Sequence, residues 1–157
     1  ALGTANRGYT NFAPSLLPSN SIALGVYGTG TVESNQYEIG SSTGGSYTRL
    51  FMKYTGNPIY VDLNDGSTTA VAGQGGDGFI IGSRLSNTTK TIYKNTSKYV
   101  RNEPVTGNNT APLYLNENSN RTNFRFVFIS EGLTDYEAKA LYWIVQKYQT
   151  TLGRQVY

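Results

Sequence analysis

The sequence predicts an all-β fold, an antiparallel sandwich with one C-terminal α-helix. Three observations support this prediction. The 157 residues include 18 Gly and 13 Tyr but only 15% charged residues, a composition typical of a turn-rich β protein. Short segments of alternating apolar and polar residues recur between turn-forming residues. Apolar residues at helical spacing occur only near the C-terminus, and the length suits a single domain with its own core.

The first half of the chain divides into short strands at its turn residues. Residues 1–20 have no clean periodicity and predict an N-terminal arm or lead-in strand, which packs either on its own domain or on a neighbouring subunit. A loop is predicted at Gly40–Gly45. A hairpin turn is predicted at Asn64–Gly66, because Asp-Gly accepts the positive φ of a two-residue turn. Strands are predicted at Ser21–Tyr27, Asn35–Ile39, Ser46–Tyr54, Ile59–Leu63 and Ser67–Ala72.

The second half continues the pattern of strands and loops. The glycine-rich segment Gly73–Gly78 and the polar segment Asn116–Asn123 are predicted loops. Phe124–Ile129 is the most hydrophobic segment and is expected to be a central strand of its sheet. The other strands are predicted at Phe79–Gly82, Thr91–Lys94, Lys98–Val100 and Pro112–Asn116.

One helix is predicted, at about residues 134–149. Thr134 and Glu137 form a capping box, in which each side chain accepts a hydrogen bond from the other residue's backbone amide. Apolar residues then recur at helical spacing, and Gly153 is a suitable stop. We expect the helix to bury one stripe against the sandwich, formed by Leu141, Ile144 and Val145.

The composition argues against an enzyme. The chain has no Cys and no His, which removes disulfides, thiol nucleophiles and the commonest general base. No predicted strand carries two acids at alternate positions, as a sandwich glycanase would need. Gly73–Gly78 lacks the Lys-Ser/Thr of a phosphate-binding loop. We therefore predict no catalytic residues and no cofactor. Asp62, Asp65 and Asp77 could supply oxygen ligands to calcium, but no EF-hand spacing supports a metal site.

The net charge is +3, and the basic residues are locally concentrated. No acid occurs between Asp77 and Glu103, a stretch with five basic residues. A phosphate-binding patch is one interpretation. Alternating Lys and Tyr on a hairpin is more typical of a solvated strand face, so we do not expect a nucleic-acid partner. No segment is long enough to span a bilayer, and no membrane partner is expected. The basic residues are Arg84, Lys90, Lys94, Lys98 and Arg101.

Two neighbouring predicted strands supply the candidate binding face. In Ile59–Leu63 the apolar residues alternate toward the core, which leaves Tyr60 and Asp62 on the opposite face. In Ser46–Tyr54 both faces carry apolar groups. If Leu50 and Met52, which share a face with Tyr54, point into the core, then Tyr47, Arg49, Phe51 and Lys53 look outward. The outward residues combine aromatic planes with charged hydrogen-bond partners, which suits a sugar, although a neighbouring subunit or the N-terminal arm could also cover them. The candidate ligand-binding or interface residues are Tyr47, Arg49, Phe51, Tyr60 and Asp62.

Three stretches together resemble a known family. The first is Gly78–Arg84 with the hairpin that begins at Thr91–Asn95. The second is Ala111–Asn116 with the strand Phe124–Ile129. The third runs from Ser130 to Tyr142 and continues through Gln149–Val156. The last is the most specific, and it is similar to the closing strand and helix of concanavalin A-like, laminin-G-like jelly-roll domains. Such domains recur in virion proteins of tailed phages and in bacterial surface proteins.

The resemblance implies a lectin-like jelly-roll sandwich over residues 21–157. It implies a non-catalytic virion surface component of a tailed phage, such as a head fibre, decoration or tail adhesion protein. Such a component would lie on the virion surface or outside the cell, form a homo-oligomer, and bind other virion subunits or a host surface glycan. A secreted bacterial carbohydrate-binding module or adhesin domain is the alternative. The chain departs from the family in its short upstream part and in the missing glycine at Asn95–Ser97.

Overall fold

The chain forms an antiparallel β-sandwich with one C-terminal α-helix, which confirms the predicted fold class. The computed structural model describes residues 8–29, 31–33, 35–66, 70–115 and 123–155. The first seven residues of the predicted arm, the start of the predicted strand Ser67–Ala72 and nearly all of the predicted loop Asn116–Asn123 lie outside these stretches.

Eleven strands lie in the described part of the chain, and all their pairings are antiparallel. In chain order they are β1 (Gly8–Tyr9), β2 (Ile22–Thr29), β3 (Ile39–Thr43), β4 (Ser46–Phe51), β5 (Ile59–Asp65), β6 (Ala70–Val71), β7 (Gly78–Arg84), β8 (Thr89–Lys94), β9 (Ser97–Asn102), β10 (Tyr114–Leu115) and β11 (Asn123–Ser130).

The strands form two sheets. Sheet A has the order β1-β10-β3-β4-β5-β6, and sheet B has the order β11-β2-β7-β8-β9. The lead-in residues Gly8–Tyr9 pair with β10 at the edge of sheet A, and Pro14–Leu16 form one 3₁₀ turn. The described part of the N-terminal segment therefore packs on its own domain.

The main core lies between the two sheets. Alternate residues of β5, Ile59, Val61 and Leu63, are fully buried there with apolar residues of β2 and β7. The sheets approach so closely at Gly82 that an added Cβ would lie 2.2 Å from Val61 Cγ1. Only a glycine fits this contact, because no other residue lacks a Cβ.

The helix α1 spans Asp135–Thr151, and the predicted capping box is present at its start. It packs on the outer face of sheet B, the face turned away from sheet A. A second core fills this contact, formed by Tyr27, Phe79, Ile81, Tyr93, Ala138, Tyr142 and Val145. Sheet B is therefore covered on both faces, by sheet A and by α1.

The predicted buried stripe of the helix is wrong at Ile144, whose exposed fraction is 65%. The helix instead buries Ala138, Tyr142, Val145, Gln146 and Gln149. The buried stripe is therefore rotated about the helix axis relative to the predicted one. Polar groups explain this difference, because two glutamines form hydrogen bonds at the contact with sheet B. The Tyr27 hydroxyl donates to the Gln146 side chain at 3.4 Å, and Gln149 Nε2 donates to the carbonyl of Arg125 at 3.2 Å. Leu141 and Val145 do contact the sandwich, as predicted.

The predicted central position of Phe124–Ile129 is also wrong, because β11 is an edge strand of sheet B. Its hydrophobicity has another cause, which is that both its faces are covered. Val127 and Ile129 pack on the core between the sheets, whereas Phe126 and Phe128 pack on the second core, beneath the helix. Because a strand between two cores buries both of its faces, its sequence is a continuous apolar run even at the edge of a sheet.

Two predicted turns belong to strands. Four residues of the predicted loop Gly40–Gly45 belong to β3, and the β3–β4 hairpin turns only at Gly44 and Gly45, whose φ angles are 57° and 84°. The predicted turn at Asn64–Gly66 is occupied by β5, which continues through Asp65. Asn64 does adopt a positive φ of 58°, next to an irregularity in the β4–β5 register. Asn and Gly tolerate these conformations in strands as well as in turns.

We predict that Val145→Ala lowers the free energy of unfolding by about 1–3 kcal/mol, because the Val145 side chain is 2% exposed in the second core. The neighbouring variant Ile144→Ala should change it by less than about 0.5 kcal/mol. Chemical denaturation of both variants, at a concentration where each is monomeric, measures the difference. Equal losses would contradict the observed orientation of α1.

Candidate functional site

The five predicted site residues lie on one face, the outer face of sheet A. Strand pairing places Arg49 opposite Asp62 and Phe51 opposite Tyr60 across β4 and β5. Tyr47 precedes Arg49 by two residues and therefore shares its face. The alternate residues Leu50, Val61 and Leu63 point into the core and are fully buried. We call this group of outward residues the sheet A site.

Aromatic rings form the centre of the sheet A site. Phe51 contacts three tyrosines edge-on, with centroid distances of 5.9 Å to Tyr37, 5.4 Å to Tyr54 and 6.0 Å to Tyr60. Tyr54 and Tyr60 also contact each other at 4.7 Å. Edge-to-face packing of this kind adds stability beyond the burial of area. A shallow cavity of about 200 Å³ lies beside the rings, lined by Asn35, Arg49, Phe51, Tyr54 and Tyr60.

The site residues differ in their access to solvent. Tyr47, Arg49 and Tyr60 are partly exposed. Phe51 and Asp62 were expected to look outward but are 4% and 0% exposed. Phe51 is enclosed by its tyrosine neighbours, and Asp62 lies beneath Arg49. The partly exposed residues can therefore touch a ligand, whereas Phe51 and Asp62 hold them in place.

Arg49 connects the aromatic and the charged parts of the site. Its Nε donates to Asp62 Oδ2 at 2.5 Å. The guanidinium lies over the Tyr47 ring at 3.9 Å from the centroid, and 5.3 Å from that of Phe51. A guanidinium that stacks on a ring and binds a carboxylate is fixed in orientation. Arg49 thus presents a positioned cation at the edge of the cavity.

A buried ion cluster lies behind Asp62. Lys90, which comes from sheet B, lies between three carboxylates, with Nζ 2.5 Å from Glu103 Oε2, 2.9 Å from Asp65 Oδ2 and 3.8 Å from Asp62 Oδ1. Arg84 completes the cluster, with Nη2 2.8 Å from Asp65 Oδ2. Both cations are fully buried. Mutual pairing satisfies charges that would otherwise be costly to bury.

Burial raises the pKa of Asp62 to about 6, against an ordinary value of 3.8, although Lys90 and Arg49 both oppose the shift. Asp62 Oδ1 accepts no hydrogen bond from the described residues. Loss of hydration penalises the charged carboxylate, and the two cations offset only part of this penalty. The carboxylate that holds Arg49 therefore titrates close to neutral pH.

The sequence patterns do not predict two tyrosines of the site, Tyr37 and Tyr54, whose rings contact Phe51. Strand alternation through Ser46–Tyr54 predicts that Tyr54 lies on the same face as Leu50 and Met52, and this is wrong. The strand ends at Phe51, and a tight turn follows, in which the Asn57 amide donates to the Tyr54 carbonyl at 2.9 Å. This turn places Tyr54 on the outer face. Asn57 has a φ of 69° and precedes Pro58, and the Gly56-Asn57-Pro58 turn signal was the available evidence for an earlier strand end.

The predicted basic stretch does not form one surface. Arg84 and Lys90 lie in the buried cluster, and Lys94 Nζ donates to the Gly76 carbonyl at 2.7 Å. Lys98 pairs with Asp135 at the surface.

The acids considered for calcium are likewise separated. Asp62 and Asp65 pair with cations in the buried cluster, whereas Asp77 Oδ1 accepts the Thr31 amide at 3.0 Å. Within the residues that the structure describes, no group of three or more acids has the arrangement of a metal site. In the same residues, α1 is neither long nor apolar enough to cross a bilayer.

Neither a scan against models of known protein families nor a search of curated proteins finds a match to this chain.

We predict that Asp62→Asn flattens the dependence of stability on pH between about 4 and 6. In the folded protein the pKa of Asp62 is raised from 3.8 to about 6. The folded state therefore holds a proton that the unfolded state releases, and the wild type loses stability as pH rises through this window. Relative to Asp62→Asn, the wild type should lose about 2 kcal/mol.

Chemical denaturation at pH 4 and pH 6.5 measures this difference. Glu131→Gln, which changes an exposed carboxylate, is the matched control and should follow the wild-type curve. If Asp62→Asn shows the same pH dependence as the wild type, the assignment of a raised pKa to Asp62 is wrong.

Proposed function

We propose that this chain is a non-catalytic recognition module that binds a glycan through the sheet A site. The observation that carries the proposal is the aromatic-lined cavity beside Arg49, in which Tyr54 and Tyr60 line the walls. Aromatic rings suit the apolar faces of sugar rings, and a positioned guanidinium suits their hydroxyl or acidic groups. Phe51 and Asp62 pre-organise the site from beneath, which lowers the entropic cost of binding.

We further propose that the module is a surface component of a tailed-phage virion, such as a head fibre, decoration or tail adhesion protein. The support is the resemblance of residues 130–156 to the closing strand and helix of lectin-like jelly rolls in such particles. A secreted bacterial carbohydrate-binding module or adhesin domain is the alternative. Copurification of the chain with virions, measured by mass spectrometry of purified particles, separates these two locations.

Contact with a neighbouring subunit is the second candidate function, and a specific feature favours it. The outer face of α1 exposes apolar side chains, which soluble monomers rarely group together. This feature supports assembly with virion subunits or with further copies of the chain as a homo-oligomer. Light scattering would measure the assembly state. The exposed side chains on α1 and at its C-cap that would form this contact, with fractions of 44–83%, are Tyr136, Ile144, Tyr148 and Leu152.

We predict that Tyr60→Ala and Arg49→Ala each weaken glycan binding by about tenfold or more, since each removes a wall of the cavity. Arg49→Lys should also weaken binding, because Lys keeps the charge but not the planar stacking. Tyr136→Ala removes a tyrosine that is 83% exposed on α1 and should leave binding unchanged. A glycan array identifies the ligand, and titration calorimetry on folded variants measures the affinities. Unchanged binding in all three site variants would refute the sheet A site.

We predict no hydrolysis of the bound glycan. The sheet A cavity has no carboxylate among its lining residues, whereas glycoside hydrolysis requires a pair. Incubation with diverse bacterial polysaccharides should release no reducing ends, as a reducing-sugar assay would show. Release that disappears in a carboxylate-to-amide variant would identify an enzyme instead.

A further inference from the structure

A second cavity lies between the β8–β9 hairpin and the first turns of α1. Because α1 covers the outer face of sheet B, this cleft is on the opposite side of the sandwich from the sheet A site. Its volume is about 360 Å³, which falls within the range of small-molecule sites. Its lining includes both aromatic and charged side chains.

On α1, the aromatic side chains of the lining are Tyr142 and Trp143. Their rings pack edge-on at 5.0 Å. Tyr142 is 9% exposed and anchors the pair in the second core, whereas Trp143 is 56% exposed. A tryptophan that is held on one side and open on the other offers a rigid aromatic surface to a ligand.

Asp135 organises the charged side chains of the lining. The Tyr93 hydroxyl donates to Asp135 Oδ1 at 2.6 Å, and Lys98 Nζ binds Asp135 Oδ2. These contacts, from Lys98 first and then Tyr93, lower the pKa of Asp135, so its carboxylate stays charged. Two strands and the helix therefore place an acid and a base next to each other at the cleft.

Lys139 gives the cleft a net positive charge. It lies one helical turn after Asp135 and lines the cavity. Lys98 and Asp135 neutralise each other, but Lys139 forms no ion pair with any residue in the described stretches. An anionic group on a ligand would complete this arrangement, because a charge-assisted hydrogen bond is stronger than a neutral one.

We propose that this cleft binds one acidic sugar residue, a pyranose that carries a carboxylate. Trp143 contacts the apolar face of the ring, Lys139 binds the carboxylate, and Asp135 and Lys98 bind hydroxyl groups. The proposal goes beyond the function assigned to the sheet A site, since it uses a different surface and does not require a glycan to bind there. With both sites filled, the domain would contact glycans on two opposite sides.

Trp143 is the only tryptophan in the chain, so its fluorescence reports on this cleft. Titration with sodium glucuronate should change the emission saturably, and glucose should bind about tenfold more weakly or worse. Lys139→Gln should weaken glucuronate binding by about tenfold. The matched control is Lys147→Gln, which changes an exposed lysine two turns further along α1 and should leave the affinity unchanged.

Saturation-transfer NMR with glucuronate detects binding that does not alter the emission, and it is measured on Tyr60→Ala so that the sheet A site does not contribute to the signal. The proposal is overturned by absence of binding in both measurements, by equal affinity for glucose, or by wild-type affinity in Lys139→Gln. Tighter binding of benzoate than of glucuronate would overturn the assignment to a sugar. Tyr60→Ala should leave this titration unchanged, so a failure here is distinguishable from a failure at the sheet A site.

Discussion

The buried ion cluster is the contact on which the arrangement of the two sheets depends. The apolar core occupies most of the space between them, but at one end it gives way to Arg84 and Lys90 of sheet B and Asp65 of sheet A. Arg84 Nε also donates to the Leu63 carbonyl at 2.7 Å, across the same gap. A buried charge that loses its partner costs several kcal/mol. A one-residue shift of β5 would turn Asp65 away from these cations, so the cluster specifies its register.

The same cluster extends to the protein surface through Asp62. This carboxylate lies between Lys90 in the interior and Arg49 in the sheet A site, at 3.8 Å and 2.5 Å. Arg49 in turn stacks on Tyr47, so the orientation of the outermost groups follows from an interaction that begins in the core. Because Asp62 has a pKa raised to about 6, its hold on Arg49 changes with pH. Protonation removes the negative charge with which Arg49 pairs.

Much of this fold follows from local sequence patterns. Alternation in Ile59–Leu63 predicts which residues enter the core, and the capping box at Thr134 predicts where the helix begins. The wrong predictions have a common origin. A hydrophobic pattern shows how much of a strand or helix is buried, but it does not show which other element buries it. Phe124–Ile129 is apolar because sheet A and α1 cover its two faces, not because it is central. The alternation misplaces Tyr54 because a turn follows the end of its strand. Local patterns do not reveal the ion cluster because its residues are distant from one another in the sequence.

The layer order limits where a ligand can bind. Sheet B lies between sheet A and α1, so neither of its faces is available over the helix-covered area. Two surfaces carry partly exposed aromatic rings beside charged side chains. One is the outer face of sheet A, on which no helix or further sheet packs in the described stretches. The other is the border of α1, where the helix leaves the sheet and the β8–β9 hairpin forms the opposite wall. At both places neighbouring side chains hold the aromatic rings and the charged groups, which lowers the entropic cost of ordering them when a ligand binds.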